Sequence, residues 1–152
     1  MKRFNRLLLV TLTALFILSV GLAGCSSEGK AGATNHDFAM APLDDMPAEV
    51  QQAPVAVQQA YQFAVANPEI LKQIPCYCGC GAMGHTSNYS CYVAGTGADG
   101  EVMYEDHALG CSICVDISQD TMRLLDQGKE VSEIFAYVDG SYARFGPPTP
   151  LE

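Results

Sequence analysis

Basic residues are scarce in this chain. Only eight of its 152 residues are Lys or Arg, against seventeen Asp or Glu. Lys2, Arg3 and Arg6 account for three of the eight, so from Cys25 onward five basic residues face seventeen acidic ones, a formal charge of −12. That balance excludes the electrostatic footprint of a nucleic-acid binder and leaves no basic patch for anionic lipid. Long apolar runs are also missing. The longest, Leu7 to Leu18, is interrupted by Thr11 and Thr13 and falls short of the about 20 residues that span a bilayer. Val115, not histidine, follows Cys114, which disfavours covalent haem on that CxxC. No internal repeat, no thioredoxin-like strand–helix alternation and no third group placed to orient a Cys–His pair for hydrolysis is visible.

The first 24 residues read as a targeting segment rather than as fold. A basic start precedes the apolar run, which ends in Leu22-Ala23-Gly24-Cys25. This tetrapeptide resembles the lipobox of bacterial lipoproteins. The resemblance implies a lipoprotein signal peptide over residues 1–24, removed on maturation, and acylation of Cys25 by chains of the palmitate class. One acyl chain holds a protein to a membrane only weakly, and stable anchoring takes two or more; the resemblance implies several. An uncleaved anchor with an incidental cysteine is the competing reading. Both place the remainder outside the cytoplasmic membrane, and the first predicts an extracytoplasmic protein lipid-anchored to a bacterial membrane.

Residues 25–47 are small and polar, and we expect a flexible tether of about 25 Å r.m.s. reach. His36, Met40 and Met46 within it read as incidental composition rather than as a metal relay. The Cys-rich domain is expected over 48–146, with a Pro-rich tail at 147–152. From Pro54, apolar residues recur at helical spacing (Val57, Ala60, Tyr61, Ala64, Val65). Asn67-Pro68 stops that helix and starts a short one. Tyr89 to Ala94 reads as a strand, Asp99-Gly100 as a turn and Val102 to Tyr104 as its partner. A helix opens at Gly110 to Cys114 and ends at Gly128, a natural residue just past a helix terminus. A last helix carries Val131, Ile134, Phe135, Val138 and Tyr142. The fold class expected is mainly α, or small α+β: a compact helical domain with a Cys-rich loop and a short β-hairpin.

The chemistry lies between Pro75 and Cys114. Cys76, Cys78 and Cys80 form a CxCxC run, Cys91 follows, and Cys111 and Cys114 form a CxxC. His85 and His107 stand near the two clusters. Three readings stay open. In the first, all eight side chains bind a soft metal ion: extended backbone puts the first three sulfurs on one side, and a helix start presets Cys111 and Cys114 and favours thiolate. Sulfur-rich, nitrogen-assisted sets select Cu(I) or Zn(II). Six sulfurs exceed one tetrahedral zinc, which puts Cu(I) first, and Met83 and Met103 could add thioether ligands. In the second, six cysteines in an exported domain form disulfides that staple an interaction domain, with Cys76, Cys78 and Cys80 pairing to Cys91, Cys111 and Cys114. In the third, Cys111 and Cys114 exchange disulfides, with Cys111 the nucleophile. Membrane lipid, a metal ion and a redox or metal-delivery protein are the partners these readings call for. Nothing in the sequence requires enzymatic turnover.

Pro75-Cys76-Tyr77-Cys78-Gly79-Cys80 resembles the signature of the PCYCGC-motif lipoproteins. The likeness extends over residues 54–143: Tyr61 through Cys80, Gly84-His85, His107-Ala108 with Cys111 and Cys114, and Gly128-Lys129, Glu133-Ile134 and Tyr137. It implies lipoprotein status and a cysteine-rich site, and supplies no reaction. Glu130 stands where the family carries a serine, so a weaker helix cap is expected there.

Overall fold

The computed structural model describes residues 38–151, within one unit spanning His36–Glu152. The signal segment, Cys25 and His36 lie outside the described residues. Five α-helices and one hairpin are formed among those described: α1 Ala48–Gln51, α2 Val55–Ala66, α3 Pro68–Leu71, β1 Val93–Thr96, β2 Val102–Tyr104, α4 Ser112–Asp126 and α5 Val131–Tyr142. The expected mainly helical class with a two-stranded hairpin is what the chain adopts. No described helix is long and apolar enough to cross a membrane.

Helix α4 packs against both α2 and α5. It has a strongly two-sided sequence, and Ile117, Met122 and Leu124 are buried on its inner side. Helix α2 contributes Ala60, Tyr61, Phe63 and Ala64, and α5 contributes Ile134, Val138 and Tyr142. Val57 and Val65 are only half-buried, and Phe63, outside the expected stripe, takes a central place.

The helix ends follow local chemistry. Asn67 is the residue before α3, with Pro68 in its first turn, yet its side chain serves the preceding helix. Its Nδ2 donates to the Phe63 carbonyl at 2.8 Å and to the Ala39 carbonyl at 2.8 Å. Gly128 adopts φ 74° and closes α4 as a Schellman motif: Gly128 N–H donates to Leu125 O and Lys129 N–H to Leu124 O. Glu130 and Glu133 close a reciprocal capping box at the start of α5, with Glu130 N–H donating to Glu133 Oε2 at 3.1 Å. The cap expected to be weaker at Glu130 is thus a reciprocal capping box.

Two segments differ from expectation. Tyr89–Cys91 winds into a 3-10 turn rather than a strand. Asn88 O accepts the Cys91 N–H, Ser90 Oγ accepts from Thr86 N–H, and these local bonds outcompete a ladder. Pairing begins at Val93↔Tyr104, with a bulge before Gly95↔Met103. The second segment is the distal part of the expected tether. From Phe38 the chain is docked along α2: Ala41 N–H donates to Gln62 O, Gln62 Nε2 donates back to Ala41 O, and Phe38 meets Phe63 edge-on. Met46 is 4% exposed, because apolar burial offsets the ordering of this short stretch. In the Pro-rich tail Pro147 and Pro148 are exposed and Thr149 is buried. At Gly146 the chain approaches so closely that an added Cβ would lie 2.9 Å from Tyr77 O.

Candidate metal centre

The cysteine loop starts on a rigid base. Asn88 N–H donates to Ile74 O at 2.8 Å, and the Asn88 side chain anchors the far side: Nδ2 donates to Cys114 O at 3.2 Å and Oδ1 accepts from Ser118 Oγ at 2.7 Å. Tyr92 Oη also donates to Cys114 O, at 2.8 Å. Asn88, Tyr92 and Ser118 are buried, so this network fixes the first turn of α4 against the turn that carries Cys91.

The CxCxC run is not extended throughout. Gly79 adopts φ 87° and Gly84 φ 96°, and between them Cys80–Met83 forms a 3-10 turn. A left-handed residue costs a side-chain-bearing position roughly 1–2 kcal/mol, which is why glycine stands at both ends. The bend turns Cys80 toward Cys91 while keeping it with Cys76 and Cys78. The three sulfurs converge as expected, but by a turn rather than by strand alternation.

The six cysteines among the described residues are all free thiols. Cys76 Sγ lies 3.4 Å from Cys114 Sγ and 3.5 Å from Cys78 Sγ; Cys78 lies 3.6 Å from Cys114, and Cys80 lies 3.7 Å from Cys91. These separations far exceed an S–S bond of about 2.05 Å. They come close to the spacing two thiolates take on one tetrahedral ion: Zn–S bonds near 2.3 Å place them about 3.8 Å apart. The same arithmetic with Zn–N near 2.05 Å gives about 3.6 Å between sulfur and nitrogen, and Cys78 Sγ stands 3.4 Å from His107 Nε2. The His85 and His107 rings meet edge to face, 5.1 Å between centroids. His85 is buried, and its Nδ1 has no hydrogen-bond partner among the described residues. A buried polar atom left unpaired is costly, and a metal ion would satisfy it.

Four donor groups have all their ligand atoms mutually within 4.8 Å: Cys78, His107, Cys111 and Cys114; Cys80, His85, Cys91 and His107; Cys76, Cys78 and Cys80; and Cys76, Cys91 and Cys114. Each of the eight side chains named from the sequence belongs to at least one group. Met83 and Met103 are 64% and 49% exposed and remain largely in solvent. The sequence pattern did not reveal the supports: Asn88, Ser118 and Thr149 are ordinary polar residues until their partners are known.

The thiols share charge unequally. The Cys114 thiol is the largest cause holding Cys80 far below the ordinary thiol range, followed by Cys76. Cys114 is again first in pushing Cys76 down to about 7. Cys114 is pushed up in turn, by Cys76 and then Cys80. Desolvation, then the charge on Cys76, pushes Cys78 up. Protons shared among crowded sulfurs are what a cation would replace.

A family model described as "Protein of unknown function with PCYCGC motif" matches residues 14–151. No curated protein and no solved structure matches.

Proposed function

We propose that this chain, which belongs to the family of proteins of unknown function with a PCYCGC motif, is a lipid-anchored, extracytoplasmic protein that binds and hands on a soft metal ion. The observation that carries this is the convergence of six free thiols and two imidazoles at ligand-sharing distances, with His85 Nδ1 buried and unpartnered. A polar cluster this crowded has no stabilising role of its own unless something satisfies it. Cys76, Cys78, Cys80, Cys91, Cys111, Cys114, His85 and His107 are the side chains from which its ligands would be drawn.

Cu(I) is the ion we favour, because sulfur outnumbers nitrogen six to two in a soft donor set; Zn(II) is the alternative. The anchor follows from the lipobox resemblance at Cys25, and the location from the anchor. Anaerobic competition with a chromophoric Cu(I) chelator, with free thiols counted on the same sample, tests the metal reading. Tight binding is expected, and Cys78→Ser and Cys114→Ser should each weaken it strongly. Single mutants that bind like the wild type would end the shared-site reading.

Thiol–disulfide exchange is the second reading. It is favoured by Cys111 standing half-exposed at the cap of α4 with Cys114 buried three residues on. Turnover of a disulfide substrate that depends on Cys111 and survives Cys78→Ser would select it.

A further inference from the structure

The donors exceed what one ion can use, and they divide unevenly between inside and outside. We infer that they form two adjacent four-donor sites: an outer one of Cys78, His107, Cys111 and Cys114 that exchanges its ion, and an inner one of Cys76, Cys80, His85 and Cys91 that keeps its ion. This rests on the metal-binding reading and specifies it.

Each set contains three sulfurs and one nitrogen, a common four-coordinate complement. The outer four are a mutually close group, and the 3.4 Å approach of His107 Nε2 to Cys78 Sγ assigns that imidazole to it. Cys80, His85 and Cys91 are likewise mutually close. The mutual proximity of Cys80, His85 and Cys91 extends to His107, and Cys76 groups with Cys80 and, separately, with Cys91; with His107 assigned to the outer set, Cys76 is the donor left to fill the fourth inner place. It lies at the seam, 3.4 Å from Cys114 Sγ.

Accessibility separates the sets. All four inner residues are buried, whereas Cys78, His107 and Cys111 are half-exposed. A closed four-ligand site holds a structural ion, and exchange needs an approachable one. The supporting backbone differs in the same sense. In the inner set Cys76 is tied to Thr149 and Cys91 N–H to Asn88 O; in the outer set Asn88 and Tyr92 hold Cys114 O, while Cys111 follows the exposed Gly110 at the end of the short His107–Leu109 turn. An inner ion would fasten the Cys80–Met83 turn to the Tyr89–Cys91 turn.

The test uses full-length protein, reduced and metal-free, titrated anaerobically with Zn(II), whose four-coordinate preference counts donor sets. Bound ions are counted by native mass spectrometry, and release to a chelator is followed in time. Wild type should hold two ions and release them in phases separated by about tenfold or more. Cys111→Ser should abolish the fast phase and leave one slowly released ion. Cys91→Ser should remove the slow one; should it fail to fold by circular dichroism, His85→Gln probes the same set. One ion in the wild type, lost with either substitution, overturns the two-site inference while leaving metal binding intact. Two ions released in a single phase overturn the division of labour. No bound Zn(II) overturns the inference outright, and Cu(I) competition then decides the metal reading separately.

Discussion

Cys76 and Thr149, 73 positions apart, bind each other twice. Cys76 N–H donates to Thr149 Oγ1 at 3.0 Å, and Thr149 N–H donates to Cys76 O at 2.9 Å. The C-terminal tail is therefore a strap on the first residue of the cysteine cluster, and the cluster's geometry depends on residues that carry no metal chemistry.

Removing the hydroxyl of Thr149 while keeping its shape tests that strap. Thr149→Val leaves the buried Cys76 N–H without its acceptor, and should cost about 1–3 kcal/mol. Thr149→Ser should be close to neutral. Urea denaturation of the metal-free protein reads both.

Gly79→Ala separates backbone strain from crowding. A Cβ at Gly79 meets nothing within 4 Å, yet φ there is 87°. The substitution should cost about 1–2 kcal/mol and weaken metal binding by moving Cys80. Gly110→Ala is the control: its φ is −108° and its surroundings are open, so stability should change little.

Asn88→Ala should be more damaging than either. It removes a donor to Cys114 O and the acceptor for Ser118 Oγ in a buried network, an expected loss of about 2–4 kcal/mol. Ser118→Ala should cost about 1 kcal/mol. Unchanged denaturation midpoints would show that this network does not hold the site.

High pH should destabilise the fold through its desolvated tyrosines, among them Tyr61 and Tyr92 and two that bind carboxylates. Desolvation, then the hydrogen bond to Asp139, raises the Tyr77 hydroxyl above its ordinary value; desolvation, then Asp120, does the same for Tyr142. Tyr77 Oη donates to Asp139 Oδ1 at 2.7 Å and Tyr142 Oη to Asp120 Oδ2 at 2.8 Å. Above about pH 10 the unfolded tyrosines lose protons that the folded ones retain. Stability is thus fully present below pH 10 and falls as pH rises through and beyond it. Tyr77→Phe and Tyr142→Phe should each flatten that decline relative to wild type, measured by circular dichroism during denaturation at several pH values.

The proposed anchor has its own test. In a bacterial host, labelled fatty acid should enter the wild type and not Cys25→Ser. Equal labelling of both would remove the lipoprotein reading.

Local signals settled the helices. The apolar spacing of Ile134, Val138 and Tyr142, the Asn67-Pro68 break and Gly128 past the end of α4 act through neighbours within a few residues, so the chain alone announces them. The eight candidate ligands stand out in the sequence for a similar reason: few residue types carry soft-metal chemistry, and these occur close together. Residues 89–91 misled because a strand-like composition was overruled by local bonds to Asn88 and Ser90. What no local pattern could show is which donors belong together. That depends on Gly79 bending the loop, on Asn88 and Tyr92 seizing the Cys114 carbonyl, and on Thr149 returning to Cys76. The identities of these candidate ligands belong to the sequence, but which of them end up buried and which half-exposed is decided by long-range contacts, which exist only once the tail, the loop and α4 have packed together.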